Sequence, residues 1–310
     1  MARAYTKGLH EIGSDLFAYL QPEGQWGYSN AGLVLGEDSA LLVDTLFDLK
    51  LTRQMLDAMA KVRGSRPIAT VVNTHSNGDH CWGNQLVDGA EIIASRRCAE
   101  ELASIPPIAL RSLLKAEGLG AAGDYLRRIF GAFDFEGITL TPPTRTFDGE
   151  LTLRVGSREL RLIEVGPAHT AGDVLVYLPA ERVVFTGDIV FAGGTPIVWA
   201  GPIRNWIAAC DRIAALDVAT VVPGHGPIGD LAQVRAMRDY LAYVEAEAAA
   251  RHASGMSLED AVHDIALGQF DQWLDKERLA VNVQAKYREL SPDGPRANTV
   301  DLFSLMAKLV

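Results

Sequence analysis

Short apolar runs broken by turn residues fill the first two thirds of the chain, and helical spacing fills the last third. Runs at 9–12, 17–20, 32–35 and 40–43, separated by Gly, Ser, Glu and Asp, predict four short strands. Residues 49–62 then place Leu51, Met55, Leu56, Met59 and Val62 at helical intervals. A β-branched strand over 68–72 runs directly into the polar loop 73–80, and a strand over 90–94 precedes a helix from Arg96. Residues 104–135 change texture. Pro106-Pro107, Leu110, Leu113, Leu114, then Tyr125, Leu126, Ile129 and Phe130 predict a helical insertion with a Gly-rich break. Strands resume over 151–155, 160–165, 174–178 and 183–186, followed by a helix over 203–216 and a strand over 220–222. Beyond Gly229 the pattern predicts only helices, over 231–253, 257–267, 276–290 and 298–310, the second with Ser257 as N-cap and Asp260 in its first turn. The order predicts a layered α/β domain over 1–230, with an insertion at about 104–135 and a helical extension over 231–310 packed on it.

Composition narrows the class. The 310 residues carry 39 acidic and 29 basic side chains, a formal net charge of −10, which argues against nucleic acid as a partner. Three cysteines, Cys81, Cys98 and Cys210, make no disulfide framework and suit a reducing compartment. Residues 1–13 lack the apolar core of a secretory signal, and no apolar run approaches the roughly 18 residues of a membrane span. A cytoplasmic protein with no membrane partner is expected.

Candidate chemistry clusters just beyond predicted strands. Thr74-His75-Ser76-Asn77-Gly78-Asp79-His80 follows the strand at 68–72 and brings two imidazoles and a carboxylate within six positions, ligand types that suit Zn, Fe or Mn. His169 follows the strand at 160–165, Asp188 ends Val183-Val184-Phe185-Thr186-Gly187-Asp188, and His225 lies in Pro223-Gly224-His225-Gly226-Pro227. Four of the seven histidines occupy such positions, where loops at strand ends build sites. Thr170, Asp173 and Ser76 stand beside them as partners for the ligand imidazoles or as ordinary turn residues.

The order of these residues resembles the metallo-β-lactamase superfamily, with its Thr-His-x-His-x-Asp-His signature, a distant His, a bridging Asp and a final His. The resemblance extends from about residue 9 to about residue 230. It implies an α/β fold, a four-layer αββα sandwich with the site at one edge of two sheets. It also implies that His75 and His169 serve a first metal, that Asp79, His80 and His225 serve a second, and that Asp188 bridges both. One position departs from the signature: Asn77 stands where the family has its second His. An amide oxygen is a weaker ligand for zinc than imidazole. The second site is therefore expected to bind tightly and the first to be weak, altered in metal, or empty, leaving Asn77 to hydrogen-bond water or substrate.

A divalent cation, with zinc expected first and Fe or Mn after it, lowers the pKa of bound water to about 7 and so supplies hydroxide, while polarising an attacked carbonyl. Asp79 is the candidate for steering the water or taking its proton. The leading expectation is a metal-dependent hydrolase acting on an ester, thioester or lactone. His-Ser-Asn-Gly-Asp-His-Cys-Trp-Gly-Asn is also similar to aromatic polyketide cyclases and thioesterases of this fold, which is the alternative. A non-catalytic metal-binding protein with a degenerate first site is the third reading.

Cys81-Trp82-Gly83-Asn84 replaces the Gly-Gly typical of glyoxalase-type enzymes and disfavours that reading, and the missing signal disfavours an exported β-lactamase. A nuclease would need basic surface. A flavin-linked di-iron oxidoreductase would have Glu at position 77 and a flavodoxin domain. Trp199, Trp206 and the loop Gln25-Trp26-Gly27-Tyr28 either line a pocket for a planar or apolar acyl compound or pack in the core, and Cys81 is expected to pack rather than react. The insertion is expected to shape the pocket, and the amphipathic tail could form a homodimer as easily as cover the core.

Overall fold

A computed structural model describes residues 4–310 apart from 23, 25, 105, 295 and 296. Gln25 of the aromatic loop and the first three residues of the N-terminal segment thus lie outside the described residues. One sheet has seven strands in chain order: β1 (Gly8–Gly13), β2 (Leu16–Leu20), β3 (Ala31–Leu35), β4 (Ala40–Val43), β5 (Ile68–Val72), β6 (Glu91–Ser95) and β7 (Arg145–Phe147). Its first four strands pair antiparallel and the rest parallel. The second sheet has β8 (Glu150–Val155), β9 (Arg158–Glu164), β10 (Val174–Leu178), β11 (Val183–Phe185) and β12 (Thr220–Val222). Only its β11–β12 pair is parallel.

Strands such as β3, β4 and β10 read as unbroken apolar runs because both their faces are covered. Successive side chains alternate between layers. Leu41 and Val43 join Val174, Val176 and Leu178 in the core between the sheets. Ala40 and Leu42 turn instead toward Met55 and Met59 of helix α1 (Leu49–Arg63). Leu175 and Tyr177 face a third core, built with the later helices. The sheets approach closely at Gly32, where a Cβ would enter the ring of Phe185. The result is the expected four-layer αββα arrangement.

Helices α2 (Gly78–Cys81) and α3 (Arg96–Leu102) follow β5 and β6, and the insertion supplies α4 (Pro107–Lys115) and α5 (Gly120–Phe130). Then come α6 (Ile203–Ala214), α7 (Leu231–Ala253), α8 (Leu258–Asp264), α9 (Leu279–Leu290) and α10 (Thr299–Lys308). Ser257 caps α8 through the Asp260 amide, as its spacing predicts, and an Asn298–Asp301 capping box starts α10. Two details differ from the sequence pattern. Strand β7 has only three residues, two of them exposed, so it offers no periodicity to read. The segment 276–290 is not one helix: a 3₁₀ turn at Lys276–Arg278 follows Asp275, whose φ of 55° is left-handed, and turns Arg278 inward.

Leu302, Phe303, Leu305 and Met306 of α10 are buried in the same core as α6, α7 and the outer face of the second sheet. Helix α10 also packs on α5, so tail and insertion meet. No helix among the described residues is long and apolar enough to cross a membrane.

Candidate metal centre

The loops leaving β5, β9, β11 and β12 converge at one edge of the sandwich. His75, His80, His169, Asp188 and His225 are each at most 3% exposed, and Asp79 is nearly buried. Two groups, His75–His169–Asp188 and Asp79–His80–His225, each bring their ligand atoms within 4.8 Å of one another. Asp188 is the hub. Its carboxylate lies 3.7 Å from His75 Nε2, 3.1 Å from His80 Nε2, 3.3 Å from His169 Nε2 and 3.4 Å from His225 Nε2. Asp79 Oδ2 lies 3.4 Å from His225 Nε2 and 3.9 Å from His80 Nε2. Gly224 is required beside His225 because a Cβ there would collide with Asp188 Oδ1.

All four imidazoles present Nε2 inward because Nδ1 is engaged behind them. His169 Nδ1 is 2.7 Å from the Ile197 carbonyl, and His225 Nδ1 is 3.1 Å from the Tyr28 carbonyl. His80 Nδ1 is 2.9 Å from Asp44 Oδ2. Thr74 Oγ1 donates to that same oxygen at 2.7 Å, so it accepts from His75 Nδ1 at 3.0 Å. The Thr74 amide donates to Asp44 Oδ1 at 2.7 Å. One buried carboxylate, Asp44, thus orients two of the four histidines, the arrangement that fixes metal-ligand tautomers. Sequence reasoning missed Asp44. Its signal is the one shared by the other site residues: an Asp directly after a strand, here in a left-handed turn (φ 62°) that Asp tolerates better than most residues.

The electrostatics call for added positive charge. Burial, reinforced by the charge of His80, holds His75 well below the usual imidazole range, and burial also lowers His169. Burial works against charge on His80 and His225 as well, but carboxylates outweigh it: Asp188, Asp44 and Asp79 hold His80 well above its usual value, and Asp188 with Asp79 raises His225. Burial likewise opposes ionisation of Asp188, yet the neighbouring imidazoles hold its carboxyl well below the ordinary range. His75 Nε2, His80 Nε2 and Asp188 Oδ1 are buried without a well-aligned hydrogen bond among the described residues, although the last two lie 3.1 Å apart. Inward nitrogen lone pairs, orphaned buried polar atoms and clustered carboxylates fit a divalent cation. The residues able to hold it are those in the two groups above.

Asn77 does not stand idle. Its Nδ2 lies 2.9 Å from His169 Nε2, the nitrogen that would face a first metal. Thr170, Asp173 and Ser76, by contrast, partner no ligand imidazole in the hydrogen bonds seen. Thr170 Oγ1 donates to Asp173 at 2.7 Å, and burial pushes the Asp173 carboxyl up to about 8. Ser76 Oγ donates at 2.6 Å to Glu101, which also accepts from the Ala171 amide at 3.1 Å. Glu101, unmarked in the sequence, therefore ties the His75 loop to the His169 loop. Cys81 packs: it is buried, its thiol lies 3.2 Å from the Asn77 carbonyl, and burial pushes it well above the usual thiol range.

A cavity of about 520 Å³ opens over the cluster. Asn77, Asp79, His169, Asp188 and His225 form its polar floor, and Trp26, Phe47, Trp82, Phe191, Trp199 and Phe303 supply much of its apolar wall. Trp199 thus faces the cavity. Trp206 does not: it is fully buried, donates to the Ile189 carbonyl at 2.9 Å and packs edge-on against His169.

Comparison with known proteins decides the family. Residues 24–225 match the metallo-beta-lactamase superfamily model. The chain belongs to the metallo-beta-lactamase superfamily. Members of this superfamily bind divalent metals and are largely metal-dependent hydrolases. The chain is 28% identical over 197 residues to the alpha subunit of 2,4-dinitroanisole O-demethylase from Nocardioides sp. strain JS1661, covering 61% of this chain and 50% of that protein. It is 30% identical over 160 residues to hydroxyacylglutathione hydrolase from Methylococcus capsulatus, covering 52% and 48%. It therefore spans about half the length of these relatives. An inverting sec-alkylsulfatase from Pseudomonas sp. shares the fold, with a TM-score of 0.70 at 18% identity over 93% of this chain and 51% of that one.

Proposed function

We propose that this member of the superfamily is a metal-dependent hydrolase of an ester, thioester or lactone whose acyl part is apolar or planar. The supporting observation is the placement of the two carboxylates and two of the imidazoles on the floor of an aromatic-walled cavity. A divalent ion bound there lowers the pKa of water and acts as a Lewis acid toward a carbonyl oxygen. The chain itself does the rest. Asp79, held ionised by His80 and His225 against its burial, reaches the cavity and can take a proton from water. The aromatic wall excludes solvent and strengthens each electrostatic contact. The Asn77 amide is positioned to hydrogen-bond substrate oxygen or water.

Metal counting by emission spectroscopy, with a panel of thioesters, lactones and aryl esters, tests the reading. Less than ~0.3 metal per chain after gentle purification, with no activity on metal re-addition, overturns it, given that so complete a ligand set should bind tightly. Cyclisation of a poly-β-ketone without ester cleavage would favour the cyclase reading, which the same aromatic cavity accommodates.

Asn77 sets the expected stoichiometry. With its amide on His169, one ion per chain should bind tightly, in the Asp79–His80–His225 group with Asp188. Asn77→His should raise the count toward two, because it supplies the missing imidazole. A count that stays at one would show that something other than position 77 limits the first group.

The insertion should act on substrate rather than metal. Leu110 and Phe130 line the cavity and belong to neither ligand group. Truncating both to alanine should raise KM about tenfold through lost apolar contact and leave metal content unchanged.

A further inference from the structure

The cavity wall carries a second polar group away from the metal cluster. Arg278 is only 1% exposed, unusual for an arginine. Its guanidinium lies 4.1 Å from the Trp26 ring centroid and 5.3 Å from that of Phe191. Phe191 in turn stacks flat on His225 at 5.0 Å, so a single ring separates the guanidinium from the metal-facing histidine. Arg278 and Trp26 both line the cavity.

The hydrogen bonding around Arg278 is incomplete. Nη1 donates to the Thr195 carbonyl at 3.0 Å, and Nη2 lies 3.3 Å from Asp275 Oδ2. Arg278 Nε, Trp26 Nε1, Thr195 Oγ1 and Asp275 Oδ2 are all buried with no hydrogen-bond partner among the described residues. A buried polar group left unmatched is destabilising, so such a concentration in one place calls for a partner. Three of the four atoms can donate, and the lone obligate acceptor, Asp275, already faces the guanidinium. The missing complement is therefore an oxygen acceptor.

We infer that Arg278 and Trp26 form a recognition niche for a carboxylate on the substrate, distal to the bond that reacts at the metal cluster. The carboxylate accepts charge-assisted hydrogen bonds from the guanidinium, whose planar fork matches carboxylate geometry. The aromatic or alkyl body between the two ends fills the apolar cavity. Asp275 already balances the single charge of Arg278, so every further negative charge is uncompensated and a phosphate dianion is disfavoured more than a carboxylate. Only the location of the reacting end rests on the hydrolase reading; the niche itself stands on the polar atoms around Arg278.

Calorimetric titration of the metal-loaded protein with 4-phenylbutyrate, 4-phenylbutyramide and phenyl phosphate tests it. The carboxylate should bind at least tenfold tighter than the amide and tighter than the phosphate. Trp26→Phe, which keeps the ring and removes the N–H, should shrink that preference several-fold, and Arg278→Met should abolish it, both with metal content unchanged. Arg278→Lys, which keeps the charge and loses the planar fork, should retain only part of it, which covers the case in which methionine destabilises the fold. A carboxylate preference that survives Arg278→Met or Trp26→Phe but vanishes on chelation would place the anion on the metal and overturn the niche. Equal affinity for acid and amide in the wild type would also overturn it. Should no ester in the panel be hydrolysed while the Arg278-dependent preference persists, the hydrolase reading fails and the niche stands.

Discussion

Asp188→Ala is expected to strip the protein of retained metal and to lower turnover at least ~10³-fold, equivalent to about 4 kcal/mol of lost transition-state stabilisation. The physical reason is the hub position of this carboxylate, within 3.1–3.7 Å of the Nε2 atoms of all four histidines. Removing it also takes the largest favourable charge from His80 and His225, whose raised proton affinity depends on Asp188. Emission spectroscopy on the purified variant and hydrolysis rates at saturating metal measure the two effects. Retention of metal within twofold of wild type and activity within tenfold would show that the convergence on Asp188 is structural only. Asp188→Asn keeps the volume and separates loss of charge from loss of packing.

Asp44→Asn should weaken metal binding about 10–100-fold while leaving the fold intact, although Asp44 is not itself one of the ligands. Asparagine tolerates the left-handed turn, and its amide oxygen can still accept from the Thr74 amide. Its NH₂ group would then face His80 Nδ1, which must become an acceptor. The proton moves to Nε2, where a metal needs a lone pair. Asp44→Ala is harsher. It leaves the Thr74 amide, the Thr74 hydroxyl and His80 Nδ1 without their acceptor, at about 1–3 kcal/mol each. Competition against a chelator gives the metal affinity, and thermal melting of both variants gives the stability cost. Unchanged affinity in Asp44→Asn would mean that His80 does not depend on this bond for its tautomer.

All strands but β7 were legible because they carry their own record in alternation or in an apolar run, and because Gly, Asp and Asn mark where they stop. The metal-binding candidates were legible for a related reason. His75, Asp79, His80, His169, Asp188 and His225 each stand just beyond a strand, and parallel or neighbouring strands deliver their ends to the same edge. Strand β7 left no record, being three residues long and mostly exposed. Asp44 followed the same placement rule, but it is a lone carboxylate with no histidine nearby in sequence, so nothing distinguished it from a turn residue. Glu101 and the inward turn of Arg278 had no local signature at all.

The resemblance to the superfamily implied the sandwich and marked Asn77 as a departure, while the sequence by itself determined a layered α/β domain, the six candidate residues beyond strand ends and the capping of helices such as the one begun by Ser257. These follow from local periodicity, turn chemistry and residue type. Only the tertiary structure decided that Trp26, the insertion through Phe130, and the tail through Arg278 and Phe303 share one cavity wall. It also decided that Trp206 belongs to the core and Trp199 to the cavity. Aromatic rings bury equally well on either side of a loop, and the apolar face of a helix does not name its partner. Contacts between residues as far apart as Trp26 and Arg278 depend on how layers close over one another, which no window along the chain contains.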